Sequence, residues 1–311
     1  MRKTHIPSCQ GPWPDLAYSS WSGSLKTLHL WTQIIGKIRL AAMPWQNHSW
    51  HTTLYITARG LSTGSIPYEN GIFAIEFDFE SHQLIISTTF DKDVRISLYP
   101  RSVADFYQQV FQELMTLGIK VKIHAAPNEL EDNTPFAQNH AEGFYDRQKV
   151  SDFWQVAVNI HNVFLKYRSE YIGKCSPVHF FWGAFDMAVT RFSGREAPLH
   201  PGEAPNMPKE VMQEAYSQEV SSAGFWPGSD QFPQPIFYSY SYPYHEGFAE
   251  EIVYPDEAFW SEEMGEFVLP YESVRLAEDP NQFLMDFLQS TYVAAAKRGQ
   301  WDRAKLERSY Y

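Results

Sequence analysis

Between Thr52 and Leu98 the chain alternates apolar and polar residues in short runs with very short links, and this pattern narrows the available folds most. Phe73, Ile75, Phe77 and Phe79 alternate with Ala74, Glu76, Asp78 and Glu80. A period of two puts successive side chains on opposite faces of a strand, one buried and one wet. Ser81-His82-Gln83 and Asp91-Lys92-Asp93 link this run to Leu84–Thr89 and Val94–Leu98. Links this short join antiparallel neighbours, because a parallel connection needs about a dozen residues or more. Thr52–Thr57 supplies a fourth alternating run, so the region is expected to be an antiparallel meander.

Helices are expected on either side. Leu25, Leu28, Trp31, Ile35 and Ile38 recur at steps of three and four and predict a helix over Ser24–Leu40, with Gly36 a mild penalty inside it. Residues 1–20, with Pro7, Pro12 and Pro14, read as an extended arm. Pro100 ends the sheet, and Ser102 with Asp105 forms a capping pair for a helix carrying Val103, Phe106, Val110, Leu114 and Leu117, stopped by Gly118. Further on, helices are expected over Ser151–Tyr171 and Asn281–Lys297. Strands are expected in Val178–Phe192 (with a bulge at Gly183), Glu219–Phe225, Ile236–Tyr242 and Glu266–Leu269. The expected class is α+β, antiparallel sheets with helices packed on one face. The triplets Ile35-Gly36-Lys37 and Ile172-Gly173-Lys174 suggest two tandem helix–four-strand–helix repeats. The halves would be 1–130, with the arm, and 131–311, with Pro-rich insertions at 196–209 and 226–235, packed as one compact unit.

The net charge is −12, from 37 acidic and 25 basic residues, and no basic run interrupts it, so a nucleic-acid partner is not expected. Two cysteines, Cys9 and Cys175, make no disulfide framework and fit a reducing compartment. Arg2 and Lys3 precede no apolar signal core, and no window reaches the roughly 18 apolar residues of a membrane span. A soluble, cytoplasmic protein without a membrane partner is expected. Its oligomeric state is left open.

No Gly-x-Gly-x-x-Gly, Walker, Gly-x-Ser-x-Gly, His-Glu-x-x-His or Cys-x-x-Cys pattern occurs. The segment Lys174–Arg195 embeds His179 and Asp186 among Phe180, Phe181, Trp182, Phe185 and Met187. A buried ionisable group must be paired or neutral. On a regular strand these two, seven apart, face opposite sides. In one reading His179 is an acid/base group with Glu219 as its carboxylate partner and Asp186 nearby. In the other it is a hydrogen-bonded core histidine, and Asp186 pairs with Arg191 or Arg39. His48 and His51 could join His179 as ligands of a transition metal, although on a strand they would point apart. Lys174, Ser176, Trp182, Arg191, Ser222 and Trp226 are the candidate ligand contacts, with Lys37, Lys174 or Arg191 available to an anionic group. Lys174 could lower the pKa of Cys175, or Cys175 is a buried structural thiol. Phe237-Tyr-Ser-Tyr-Ser-Tyr-Pro-Tyr244 is a strand with one aromatic face, either core or the floor of an apolar pocket.

Leu28–Lys37, Asn47-His48, Gly173–Gly194 and Glu219–Gly228 together resemble the bacterial family of unknown function DUF5996, over nearly the whole chain. The resemblance implies one full-length unit and carries no catalytic role. The functional expectation is a small-molecule enzyme or ligand-binding protein with a His/Glu/aromatic cleft between the halves. The alternative is a non-catalytic interaction or scaffold protein using the Pro-rich loops.

Overall fold

The structure is a computed structural model that describes residues 13–308 except 70, 91 and 203. Cys9 and most of the expected arm lie outside the described residues.

Helix α1 spans Tyr18–Ala42, starting earlier than its apolar stripe predicts, because Tyr18 and Trp21 also bury against the core. Six short strands follow: β1 Tyr55–Ile56, β2 Gly60–Ser62, β3 Ile66–Tyr68, β4 Gly71–Asp78, β5 Gln83–Thr88 and β6 Val94–Ser97. They pair antiparallel in the order β1-β2-β4-β5-β6, with β3 on the other stretch of β4's β2 edge. Helix α2, Val103–Thr116, begins at Ser102, whose hydroxyl accepts the Asp105 N–H at 3.1 Å, and its end is marked by Gly118 at φ 78°. These features match the sequence expectation, since the capping and stop signals are local and need no tertiary help.

Helix α3 (Arg147–Ser169) leads into the second sheet, β7 His179–Phe181, β8 Asp186–Glu196, β9 Gln218–Trp226, β10 Ile236–Tyr242, β11 Phe259–Ser261 and β12 Glu266–Pro270. Helix α4 (Lys209–Ala215) interrupts it between β8 and β9, and α5 (Tyr271–Leu276), α6 (Pro280–Arg298) and α7 (Arg303–Leu306) close the chain. The order is β11-β12-β10-β9-β8-β7, again antiparallel, so the described residues form an α+β fold. Each sheet has six strands, where four per half were expected. The extra strands are three residues long, too short for a periodic signal.

The single strand expected over Val178–Phe192 is a hairpin. Residues 182–185 form its turn, which includes Gly183, and the irregularity in the ladder lies between Phe192 and Glu196 instead. Phe181 is therefore paired with Asp186, and His179 with Ala188. Directly paired residues share a face. His179 and Asp186 thus lie on the same face of the sheet, the reverse of the expectation for an unbroken strand.

The two sheets meet edge to edge. Leu54, just before β1, exchanges both backbone hydrogen bonds with Phe180 of β7, each at 2.9 Å. Buried apolar residues from Leu16 to Trp301 form one cluster beneath both sheets. Trp31 of α1 is at its centre, fully buried, with its ring 4.5 Å from that of Phe106 and 5.7 Å from that of Tyr145. Among the described residues no helix is long and apolar enough to cross a membrane.

Candidate functional site

Strand alternation divides the second sheet into two faces. Met187, Val189 and Arg191 of β8 and Ala223 and Phe225 of β9 are buried on one side. There Arg191 lies over the Tyr167 ring at 3.5 Å from its centroid and the Tyr292 ring at 4.3 Å, under α3 and α6. Asp186, Thr190, Ser222, Tyr238 and Tyr240 come from the other parity and floor a cavity of about 1020 Å³, joined by Glu266 of β12. Thr190, Ser222 and Tyr240 sit side by side across three strands, and the Thr190 and Ser222 hydroxyls are 2.9 Å apart.

Helix α1 supplies one wall. His29, Gln33 and Lys37 recur every four residues, which lines them along one side of the helix. Gln33 accepts the Asn128 N–H at 2.8 Å, and its amide donates to the carbonyls of Asn128 at 2.8 Å and Gly183 at 3.2 Å. His29 Nε2 donates to the Gly183 carbonyl at 2.7 Å, which fixes its tautomer, since a carbonyl only accepts. The helix thereby pins both the 182–185 turn and the loop around Asn128. Lys37 donates to the Asn128 side chain and lies 5.5 Å from the Trp182 ring centroid. Trp50, Phe181, Phe192, Met212 and Trp226 complete an aromatic and apolar lining.

Three carboxyls open on this cavity. Burial pushes Asp186 up to about 6 even though Tyr238 donates a hydrogen bond to it, which favours its charged form. Burial first, then the neighbouring Asp186 charge, pushes Glu129 up to about 7 and Glu266 up to about 8. Burial also brings Lys37 down to about 8, partly offset by Glu129. Tyr216 and Tyr240 share a hydroxyl–hydroxyl bond of 2.6 Å. Glu129 adopts a left-handed backbone at φ 58°, uncommon for a residue with a side chain, held by its N–H on the Pro205 carbonyl at 2.8 Å. Strained backbone of this kind concentrates at functional sites.

Two glycines make the arrangement possible. A Cβ on Gly183 would stand 1.9 Å from Oε1 of Glu129. A Cβ on Gly224 would stand 2.2 Å from the Tyr238 hydroxyl, because that ring, on β10, crosses over β9 to reach Asp186 on β8. Gly224→Val is therefore expected to displace Tyr238 and cost about 1–3 kcal/mol through overpacking. Losing the Tyr238 hydrogen bond should raise the Asp186 pKa further. Carbon-detected NMR titration of the aspartates measures this, and an unchanged Asp186 titration would show that Tyr238 does not govern it.

Of the residues the sequence singled out, Asp186, Trp182, Ser222, Trp226, His48 and Lys37 line the cavity. The others do not meet there. His179 is 1% exposed on the floor's face but lies against the rings of Trp50, Tyr55 and Phe181; burial holds it neutral, down to about 3. Neither ring nitrogen has a hydrogen-bond partner, so the hydrogen-bonded core histidine is not what forms. Glu219 is not its partner: Arg195 holds that carboxylate at 2.6 Å. Asp186 pairs with Tyr238, not with Arg191 or Arg39. Arg191 is on the opposite face, and Ser176 is buried, accepting the Thr190 N–H at 2.9 Å. Lys174 donates to Nε2 of His48, whose Nδ1–H donates to the Ala215 carbonyl at 3.0 Å. His51 accepts the Gln46 N–H at 3.2 Å and packs on Trp45. Among the described residues no three His, Cys, Asp or Glu side chains are grouped to hold a metal ion, so His48, His51 and His179 do not form the expected ligand set. Burial pushes the Cys175 thiol up to about 11, overriding nearby Arg191 and Arg168, which makes it an unreactive thiol.

Glu129, Glu266 and Tyr216 escaped sequence reasoning. Glu266 opens an expected strand, but nothing local marks it as inward-facing. Glu129 lies in a loop with no periodicity at all.

The sequence model of a family of unknown function, DUF5996, matches residues 13–308. The chain belongs to this family. No curated protein and no solved structure matches it. The family match covers α1, the loop carrying Glu129 and both sheets, so every residue of the cavity falls inside it.

Proposed function

We propose that this DUF5996 protein is a small-molecule enzyme working by proton transfer, with the cavity over the second sheet as its active site. One observation carries the reading: three carboxyls with pKa values of about 6, 7 and 8 open on a single aromatic-lined cavity. Titratable groups pushed to near neutrality by burial are what general acid–base catalysis requires. Their spread supports a division of roles. Asp186, the lowest and hydrogen-bonded by Tyr238, is the base, and Glu129 or Glu266 remains protonated as the acid. The Thr190, Ser222, Tyr216 and Tyr240 hydroxyls would orient the ligand. The cavity takes its walls from α1 and the His48–Trp50 turn and its floor from β8, β9, β10 and β12, which supports a site between the two halves of the chain.

Thermal-shift screening of a metabolite-like library tests this reading. The wild-type protein is expected to be stabilised by a subset of compounds, by about 3 kcal/mol at a concentration one hundred times Kd. Asp186→Asn should lose that response without losing the fold. A variant that keeps the full response to every binder would remove Asp186 from the site.

A further inference from the structure

We infer that the ligand of this cavity is a small organic cation, an amine-bearing molecule whose ammonium group is held among Glu266, Asp186 and Glu129. The inference rests on the cavity being a ligand site and adds the charge of what fills it.

The charges around the cavity are unbalanced. The Glu129 carboxyl makes no hydrogen bond or ion pair with any described residue, although it is deeply enclosed and lines the cavity. Glu266 is in the same position across the floor. Asp186 has the neutral Tyr238 hydroxyl and its own backbone N–H, neither of which is a counter-charge. A buried carboxylate needs a counter-charge or must take up a proton. The protein supplies little counter-charge. Lys37 faces Glu129 from α1 but is engaged by Asn128 and does not reach ion-pair distance of any described carboxylate. On the other elements around the cavity, His48 is held neutral by burial and engaged with Ala215 and Lys174. Lys122 and His124 are exposed, as expected at an opening to solvent. Tyr216, Tyr238 and Tyr240 are pushed well up or to about 12 and stay neutral. The charge missing from the floor is positive.

The lining agrees. Trp50, Trp182 and Trp226 border the cavity, with Lys174 and Lys37 already near the first two rings, and aromatic rings attract organic cations more than neutral groups of the same shape. The overall charge of −12 also steers cations toward the protein. An anionic ligand would meet repulsion from each carboxyl that is ionised, Asp186 first. A neutral one would leave them unpaired.

Isothermal titration calorimetry with three matched sets of probes decides the matter: tryptamine and phenethylamine as amines, tryptophol and phenylethanol as neutral analogues, and indole-3-acetate and phenylacetate as anions. The amines are expected to bind at least about ten-fold more tightly than their neutral analogues, and the anions not at all. Because ionised carboxylates are needed, amine affinity should rise between about pH 5.5 and 8.5 and protons should be released on binding. Glu266→Gln and Glu129→Gln should each weaken amine binding by about ten-fold or more, with melting curves confirming that both variants fold. Neutral or anionic probes binding as tightly as amines would overturn the cation and leave the cavity a ligand site. Failure of all three sets to bind would overturn the cation together with the ligand-site reading.

Discussion

Replacing Asp186, Glu129 and Glu266 by their amides is expected to stabilise the protein at pH 8 and to flatten its stability on the alkaline side. All three have folded-state pKa values above those of the unfolded chain, so the folded state holds their protons more tightly. Their stabilising contribution is complete below about pH 4 and is lost as pH rises through about 6, 7 and 8. Above that range each carboxylate is charged in a poorly solvated place, which destabilises the folded state. Buried histidines act in the opposite direction. His29 and His179 are held down to about 4 and about 3, so the unfolded chain protonates first as pH falls below 6.5, and stability falls with it. The wild type should therefore be most stable near mildly acidic pH, with both flanks sloping. The amide variant should keep the acid slope and lose the alkaline one. Urea unfolding at several pH values measures this. An unchanged alkaline slope would mean that the carboxyls are solvated and ionise normally. Residues that cost stability without supporting the fold are a frequent signature of function.

Trp31→Ala is expected to cost about 3–5 kcal/mol, the largest loss of any single truncation considered. Its ring is fully buried and stacked between Phe106 and Tyr145, so removal opens a cavity that rigid neighbours cannot fill. The indole N–H has no hydrogen-bond partner. Trp31→Phe, which deletes that unsatisfied donor and keeps a ring, should cost much less. Against a total of about 5–15 kcal/mol, the alanine variant should sit near the edge of folding at 37 °C. Chemical denaturation of both variants checks the order. Equal costs would show that lost volume is not what matters at this position.

The fold was legible where the signal is local. Ser102, Asp105 and Gly118 bracket α2 as expected, and β10 was read correctly as a strand with one aromatic face, now seen to floor the cavity with Tyr238 and Tyr240. The His179–Asp186 segment departs from its expected form for a physical reason. Its apolar run continues through the turn at 182–185, because Trp182 and Phe185 are buried too, so hydrophobicity gives no mark of the reversal. That missed turn put Asp186 on the wrong face and favoured His179, a ring enclosed by aromatics, as the chemical centre. The stripe His29, Gln33, Lys37 is regular, but a helix is read by its apolar positions, and its polar residues are ordinarily given to solvent. By propensity alone Gly36 is a helix penalty. Its lack of a side chain is what lets the Trp182 ring lie against α1, since a Cβ there would come within 2.1 Å of it.

The paired backbone bonds between Leu54 and Phe180 bear on how the molecule avoids its own copies. An unpaired strand border is a template for intermolecular assembly. Here one join covers two such borders at once and leaves, among the described residues, β6 and β11, of four and three residues, at the outer rims, and the outer side of the three-residue β3. Arg95 projects from the first of these, exposed to solvent. Splitting the chain between its two sheets would uncover a fresh border on each fragment. The fragments should then seek one another, or aggregate, and not persist as separate domains.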